Sequence, residues 1–119
     1  CAAALASLAI FDSDDVIRRN RDTAARISDL STRLAGSPNI RQIRQTGMIM
    51  AFDLGRDPET PFAPEQRRGL QAYRAGLRHG AVLRPLGDTL YWMPPYCISP
   101  DELDFLSRAT ADAVEESCI

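Results

Sequence analysis

Four short apolar segments, arranged as two consecutive pairs, constrain the fold of this chain more than any other feature. In the first pair, Ile40–Gln45 alternates apolar and polar residues, and Met48–Leu54 is almost continuously apolar. In the second pair, Ala81–Arg84 and Leu90–Met93 flank a turn over Pro85–Asp88. A strand that returns through a short turn pairs antiparallel with the strand before it. The sequence therefore predicts a small, mostly antiparallel sheet.

Two helical segments precede the first strand pair. Ala2–Phe11 is rich in Ala and Leu, which is typical of a helix that packs closely against neighbours on several sides. Asp12–Asp15 offers capping side chains and negative charge for the start of a second helix. That helix is predicted to run to Ala35, because its apolar residues recur at spacings of three, four and seven.

Two further helices follow the first and second strand pairs. The third is predicted from Pro64 to Gly80, and its apolar stripe consists of Leu70, Tyr73 and Leu77. The fourth begins with a capping box, in which Ser99 is the cap, Pro100 the first helical residue and Glu102 the third. This order of elements predicts an α+β domain in which helices cover one side of the small sheet.

The composition excludes several classes of function. All 14 basic residues are arginine, so no side chain can form a Schiff base, which requires a lysine amine. The formal net charge of −2 predicts no attraction to nucleic acid or to an anionic membrane surface. Cys1, Cys97 and Cys118 have neither metal-site nor disulfide spacing, which favours free thiols in a reducing cytosol. We therefore expect a cytoplasmic protein that binds small molecules, with no nucleic-acid or membrane partner and no metal site.

The segment Val82–Tyr96 contains the chain's only tryptophan, two of its three tyrosines, three prolines and one arginine. Pro85 biases Arg84 towards an extended conformation, and Gly87 permits a turn with positive φ. Together they hold the guanidinium on a stiff strand–turn–strand unit, with Tyr91 on the returning strand. A planar fork of donors in apolar surroundings suits a carboxylate. Arg84 and Tyr91 are therefore the candidate substrate-binding residues.

The residues alone leave a second interpretation of this segment open. In that alternative, Arg84 pairs with an internal acid, and the aromatic residues Tyr91, Trp92 and Tyr96 fill the core. Three weaker candidates for chemistry also have simpler interpretations. Asp53 is a possible catalytic acid or a solvated strand end, Asp88 is an acid or a turn-former, and His79 is a catalytic histidine or a charge at a helix C-terminus.

Three stretches carry a family resemblance that covers essentially all 119 residues. They are Arg84–Gly87 followed by Leu90–Ile98, the helix Cys1–Ile10, and the glycine-then-apolar strand Gly47–Leu54. These stretches resemble the class III pyridoxal-phosphate aminotransferases. The first two are similar to the members that take an amino group from S-adenosylmethionine in biotin synthesis, whereas the third indicates only the wider class.

The resemblance implies the C-terminal small domain of a fold-type I aminotransferase. Residues 1–35 are then a helical lead-in from a large domain outside this sequence, and residues 36–119 form the small α+β domain. Pyridoxal phosphate and its lysine are expected in that large domain, so no catalytic residue is expected here, and the enzyme is expected to be a homodimer. Arg84 is expected to bind the far carboxylate of 8-amino-7-oxononanoate, and Tyr91 to line the same pocket.

Two other functions stay open at this stage. One keeps the fold but belongs to another class III aminotransferase with a different substrate, and the family-variable positions Leu86, Asp88 and Trp92 leave that choice undecided. The other is a free-standing ligand-binding α+β module. The chain starts without methionine and inside a helical pattern, which favours a piece of a longer protein.

Overall fold

A computed structural model describes residues 1–119 and contains four α-helices and four strands. In chain order they are α1 (Ala2–Ser13), α2 (Val16–Leu34), β1 (Ile40–Thr46), β2 (Ile49–Leu54), a short 3-10 helix (Pro64–Gln66), α3 (Arg68–Arg78), β3 (Arg84–Leu86), β4 (Thr89–Trp92) and α4 (Pro100–Ser117). The predicted order of elements and the α+β class are confirmed.

The strands form one antiparallel sheet in the order β1-β2-β4-β3. Each hairpin has a two-residue turn that begins with a glycine at positive φ, namely Gly47 at 55° and Gly87 at 63°. Glycine is favoured at this first turn position because side chains with a Cβ rarely adopt the left-handed region. The strands β2 and β4 pair with each other, with Met50 opposite Trp92, and thereby join the two hairpins into one sheet.

Buried and partly exposed residues alternate along β2 and β4, which shows that one face of the sheet is covered and the other is not. Met50, Phe52 and Leu90 are buried on the covered face. Between them, Ala51 and Tyr91 are only half-buried, and they point to the opposite face. The covered face packs against helices, whereas no element of this chain covers the other face.

One hydrophobic core joins the covered face to α2, α3 and α4. The helices contribute Ile27, Leu30, Leu34, Ala72, Ala75, Leu103, Ala109, Ala113 and Val114 to this core. α2 therefore packs into the same core as the residues that follow it, while the division of the chain after residue 35 stays a prediction. α1 differs from the other helices because it buries none of its residues.

The apolar stripe predicted for α3 is wrong. The buried positions of this helix are its small residues, Gly69, Ala72, Ala75 and Gly76, whereas Leu77 is 47% exposed. A Cβ added to Gly76 would lie 2.9 Å from the Leu83 side chain. α3 thus approaches the backbone before β3 so closely that only small residues fit, and its larger side chains are displaced towards the surface.

The second hairpin also begins later than predicted, because β3 spans Arg84–Leu86 and Ala81–Leu83 is irregular. The turn contains only Gly87 and Asp88, so Pro85 lies within the strand rather than in the turn. A proline is tolerated there because β3 is an edge strand and needs fewer backbone donors.

The predicted start of α3 and the predicted side-chain capping of α2 are also wrong, whereas α2 begins directly after Asp15 as expected. Pro64 begins the short 3-10 helix rather than α3, and Arg67 at a φ of 49° separates the two. At the start of α2, Asp15 is the N-cap in a left-handed conformation and makes no side-chain capping bond. Its carboxylate instead pairs with Arg18. By contrast, the capping box of α4 is confirmed, with reciprocal bonds between Ser99 and Glu102.

A buried hydrogen bond connects the end of β4 to α4. Trp92 Nε1 donates to Thr110 Oγ1 at 3.1 Å, and that hydroxyl donates to the Leu106 carbonyl at 2.7 Å. We expect Thr110→Val in the full-length protein to destabilise by about 1–3 kcal/mol, because the indole N–H would be left buried without an acceptor. Thermal unfolding measures the effect. Thr32→Val is the matched control, since exposed Thr32 makes the same helical bond to Ser28 but contacts no tryptophan, and equal losses would contradict the prediction.

None of the four helices combines the length and the apolar character that crossing a membrane would require.

Candidate functional site

Arg84 and Tyr91 face each other across the β3–β4 hairpin. They are register partners, so their side chains project from the same face with Cβ atoms about 4.5–5.5 Å apart. Tyr91 also pairs with Ala51 on β2, so that Arg84, Tyr91 and Ala51 form one row across the sheet. Because Ala51 points to the uncovered face, the whole row lies on that face. Arg84 is exposed and Tyr91 is half-buried beside it. The fold thus brings together the two residues that the sequence singled out.

Arg84 has no ion pair within this chain. The alternative interpretation, in which it pairs with an internal acid, is therefore wrong. The aromatic half of that alternative holds for Trp92, which is 2% exposed, but not for Tyr96, which is 54% exposed and packs edge-on against Phe11. The guanidinium is thus free to bind a group from outside these 119 residues.

A small cavity of about 250 Å³ borders this pair and gives it apolar surroundings. Besides Arg84 and Tyr91, its lining includes Val82, Met93 and Phe105. Apolar neighbours reduce competition from water, so a charge-assisted hydrogen bond made here is stronger than on an open surface. The arrangement suits a ligand that combines an apolar chain with a carboxylate.

Asp53 on β2 lies in the adjacent row of the same face and is held as a carboxylate. Thr89 Oγ1 donates to its Oδ1 at 2.7 Å, and Arg44 Nη2 donates to the same oxygen at 3.0 Å. Burial works to raise the pKa of Asp53, but the hydrogen bonds from Thr89 and Arg44 and the charge of Arg41 outweigh it, and the pKa is lowered. The interpretation as a merely solvated strand end is wrong, and a carboxyl group held ionised in this way is a poor proton donor.

The lowered pKa of Asp53 predicts an acid-sensitive contribution to stability. Its contribution is fully present above the ordinary pKa of 3.8 and is lost as the pH falls through the lowered value. We expect Asp53→Asn to lower the thermal-unfolding midpoint of the full-length protein at neutral pH. The gap from wild type should narrow as the pH falls below 3.8 and through the lowered pKa. Asp29→Asn is the control, because Asp29 is exposed and has no side-chain partner, and a gap that stays constant with pH would contradict the ionic role.

Asp88 lies in the β3–β4 turn, as expected for a turn-former, and also connects that turn to α3. Its Oδ1 accepts a hydrogen bond from the backbone N–H of Gly69 at 2.7 Å. A Cβ on Gly69 would lie only 2.0 Å from the carbonyl oxygen of Gly87. The helix and the turn are therefore in direct backbone contact. Sequence reasoning missed this connection because its partners are 19 residues apart and share no local pattern.

A larger cleft of about 770 Å³ opens between the loop after β2 and the same turn. Its lining combines Arg41 and Arg67 with Asp53 and Asp88, and Phe62 contributes an apolar wall. Because the cleft carries charges of both signs, its electrostatics favour no single class of ligand.

His79 ends α3 and pairs with acids of α4, so a catalytic role is not supported. Its Nε2 lies 3.1 Å from Glu116 Oε2, and its Nδ1 lies 3.9 Å from Asp112 Oδ2. Arg78 bonds to Glu116 as well, and these hydrogen bonds from Arg78 and His79 lower the pKa of Glu116. No three His, Cys, Asp or Glu residues of the chain are grouped to hold a metal ion.

The chain thus forms an antiparallel sheet that helices cover on one face, with an unpaired arginine on the other face. The family model for "Aminotransferase class-III" matches residues 1–114. This chain belongs to the class III aminotransferase family.

Among its relatives, adenosylmethionine-8-amino-7-oxononanoate aminotransferase of Synechococcus elongatus is 39% identical over 117 residues, which are 98% of this chain and 26% of that protein. The protein of the same name from Nitratidesulfovibrio vulgaris is 35% identical over 116 residues, which are 96% of this chain and 21% of that protein. Gamma aminobutyrate transaminase 1, mitochondrial, of Solanum lycopersicum is 29% identical over 119 residues, 98% of this chain and 23% of that protein. The chain thus spans about a quarter of the length of these relatives.

Solved structures share this fold. The crystal structure of adenosylmethionine-8-amino-7-oxononanoate aminotransferase from Methanocaldococcus jannaschii superposes with a TM-score of 0.91 at 26% identity, covering 98% of this chain and 27% of that one. The PMP-bound aminotransferase from Vibrio fluvialis gives a TM-score of 0.92 at 23% identity, covering 98% of this chain and 26% of that one.

Class III aminotransferases are pyridoxal-phosphate enzymes. The cofactor is attached through a lysine amine, and the basic residues of this chain are all arginine. The residues described here therefore do not fit the attachment that the cofactor needs.

Proposed function

We propose that this chain is the substrate-side part of an aminotransferase of biotin synthesis. The whole protein would move the amino group of S-adenosylmethionine to the ketone carbon of 8-amino-7-oxononanoate, giving 7,8-diaminononanoate. The donor leaves as its 2-oxo acid, whose new carbonyl oxygen comes from water, and the ketone oxygen of the acceptor is released as water, so the exchange balances. The relatives with 39% and 35% identity, which carry the name of this activity, support the choice of reaction.

The Arg84–Tyr91 pair is the single observation that carries the proposal. Arg84 is proposed to bind the carboxylate at the far end of the oxononanoate, because its guanidinium is exposed and has no acid partner of its own. Tyr91 is proposed to line the same pocket beside the apolar chain of the substrate. A bidentate contact at that end orients the ketone towards the site of amino transfer without touching the reacting atoms.

The rest of the machinery is proposed to lie outside these residues. A large domain of the same protein would supply the lysine and hold pyridoxal phosphate, and a second subunit would complete a homodimer. α1 buries none of its residues and exposes Leu5, Leu8 and Ile10, which supports a neighbour on that side. The fragment alone is expected to be inactive. A cytoplasmic location is part of the proposal, and it is supported by the three free cysteines.

The test is amino transfer by the purified full-length protein, loaded with pyridoxal phosphate. The acceptor is 8-amino-7-oxononanoate, and the product is measured by mass spectrometry with S-adenosylmethionine or 4-aminobutyrate as the donor. Formation of 7,8-diaminononanoate with S-adenosylmethionine is the expected result. If no diaminononanoate forms with either donor, the proposed reaction is wrong.

The similarity to gamma aminobutyrate transaminase favours a second candidate, a class III aminotransferase that takes its amino group from an ω-amino acid such as 4-aminobutyrate. The comparison of the two donors, repeated with a 2-oxo acid as the acceptor, separates the two candidates. Amino transfer from 4-aminobutyrate to a 2-oxo acid, combined with failure to use S-adenosylmethionine, would select the second.

A further inference from the structure

We propose that Asp88 is a positioning residue for Arg84, because it fixes the β3–β4 hairpin against α3. The inference rests on the proposed function, since its consequence is how tightly Arg84 holds the carboxylate of the acceptor. Asp88 itself lies in the turn at the far end of the hairpin and is not proposed to touch the substrate.

The first link joins the turn to the start of α3. Gly69 is the second residue of that helix, and its N–H is one of the donors that a helix leaves without an internal partner. The N-cap residue Arg67 makes no side-chain capping bond, so the Asp88 carboxylate supplies the missing acceptor from another element. Its negative charge is also favourable at the positive end of the helix.

The second link joins the same turn to β2. The backbone carbonyl of Asp88 accepts a hydrogen bond from Leu54 N at 2.8 Å, and neighbouring Thr89 donates to Asp53 at 2.7 Å. The turn is therefore held by α3 on one side and by the central strand β2 on the other.

These links matter because β3 itself is weakly held. It has only three residues, lies at the edge of the sheet and includes Pro85, which has no N–H to donate. Its ladder to β4 therefore contributes few hydrogen bonds. Arg84 stands at the other end of this short strand, so its position depends on where the turn is anchored. A guanidinium that must meet both oxygens of a carboxylate loses binding when it is displaced or mobile.

The experiment compares two acceptors in the full-length enzyme, 8-amino-7-oxononanoate and its methyl ester, which lacks the carboxylate charge. For Asp88→Ala we expect kcat/KM for the acid to fall about tenfold, the equivalent of one hydrogen bond's contribution. The ester and the half-reaction with the amino donor should be unchanged. Asp88→Asn keeps an acceptor oxygen and should stay within about threefold of wild type. Asp29→Ala is the control at an exposed, unpartnered aspartate.

Equal losses for the acid and the ester would overturn the inference, as would a loss in Asp88→Asn as large as in Asp88→Ala.

If Asp88→Ala does not fold, Asp88→Glu replaces it, because the longer side chain keeps an acceptor but moves the turn away from α3. A smaller loss confined to the acid is then expected, and a loss shared by the ester would overturn the proposal. The variant Arg84→Ala distinguishes a failure of the proposed function from a failure of the positioning role. If Arg84→Ala lowers kcat/KM equally for the acid and the ester, the proposed function of Arg84 fails. If Arg84→Ala affects only the acid but Asp88→Ala affects both acceptors equally, only the positioning role of Asp88 fails.

Discussion

Replacing Arg84 by alanine in the full-length protein is expected to lower kcat/KM for 8-amino-7-oxononanoate by about 10- to 150-fold. A hydrogen-bonded contact to a charged group contributes about 1.5–3 kcal/mol, which corresponds to that range. The loss should be large because the alanine removes the only cation that lines the small cavity, and Arg44, the other arginine of this row, is already paired with Asp53. The half-reaction with the amino donor should keep its wild-type rate, since the proposed partner of Arg84 is on the acceptor.

Steady-state kinetics with varied acceptor and single-turnover kinetics with the donor measure the two effects separately. Arg84→Lys is informative because it keeps the charge but not the planar fork, so we expect an intermediate loss. Arg74→Ala is the matched control, since Arg74 is an exposed arginine of α3 without an ion pair. Unchanged acceptor kinetics in Arg84→Ala would remove Arg84 from the substrate site.

Gly69→Ala is expected to be strongly destabilising, although it adds only one methyl group, because no other glycine of the chain has a backbone or side-chain atom so close to its missing Cβ. The added Cβ would lie 2.0 Å from the carbonyl oxygen of Gly87 and 3.2 Å from Cα of Asp88. Both are backbone atoms, so no side-chain rotation relieves the overlap, and the turn or the helix must move as a unit. Overpacking usually costs about 1–3 kcal/mol, and we expect this case at about 3 kcal/mol or more.

The thermal-unfolding midpoint and the soluble yield of the full-length protein check this expectation. Gly36→Ala is the control, because a Cβ there would meet nothing closer than the Arg33 carbonyl oxygen at 3.3 Å. If Gly69→Ala has the same midpoint as wild type, α3 and the β3–β4 turn are not in the close contact described above. That result would also remove the geometric basis for a positioning role of Asp88.

Much of the fold was predictable because its signals are local. The capping box of α4 needs only Ser99 and Glu102, three residues apart, and each tight hairpin needs only a glycine at the first turn position. The register that brings Arg84 opposite Tyr91 was not predicted, because the turn was expected over Pro85–Asp88 whereas it contains only Gly87 and Asp88. The face of α3 that is buried was not predictable, because the spacing of Leu70, Tyr73 and Leu77 describes a stripe but not the distance at which a neighbour packs.

The sequence by itself determined the order of helices and strands, the antiparallel pairing within each hairpin, the absence of a cofactor lysine from this chain, and the family resemblance of the Arg84 segment. Only the tertiary structure decided that Arg84 lacks an internal acid, that Asp53 is held by Arg44 and Thr89, and that Asp88 caps α3 from another element. The physical reason is how far apart along the chain the interacting residues lie. Helix caps and tight turns are made by residues a few positions apart, whereas these contacts join residues 9, 36 and 19 positions apart and exist only once the core has packed.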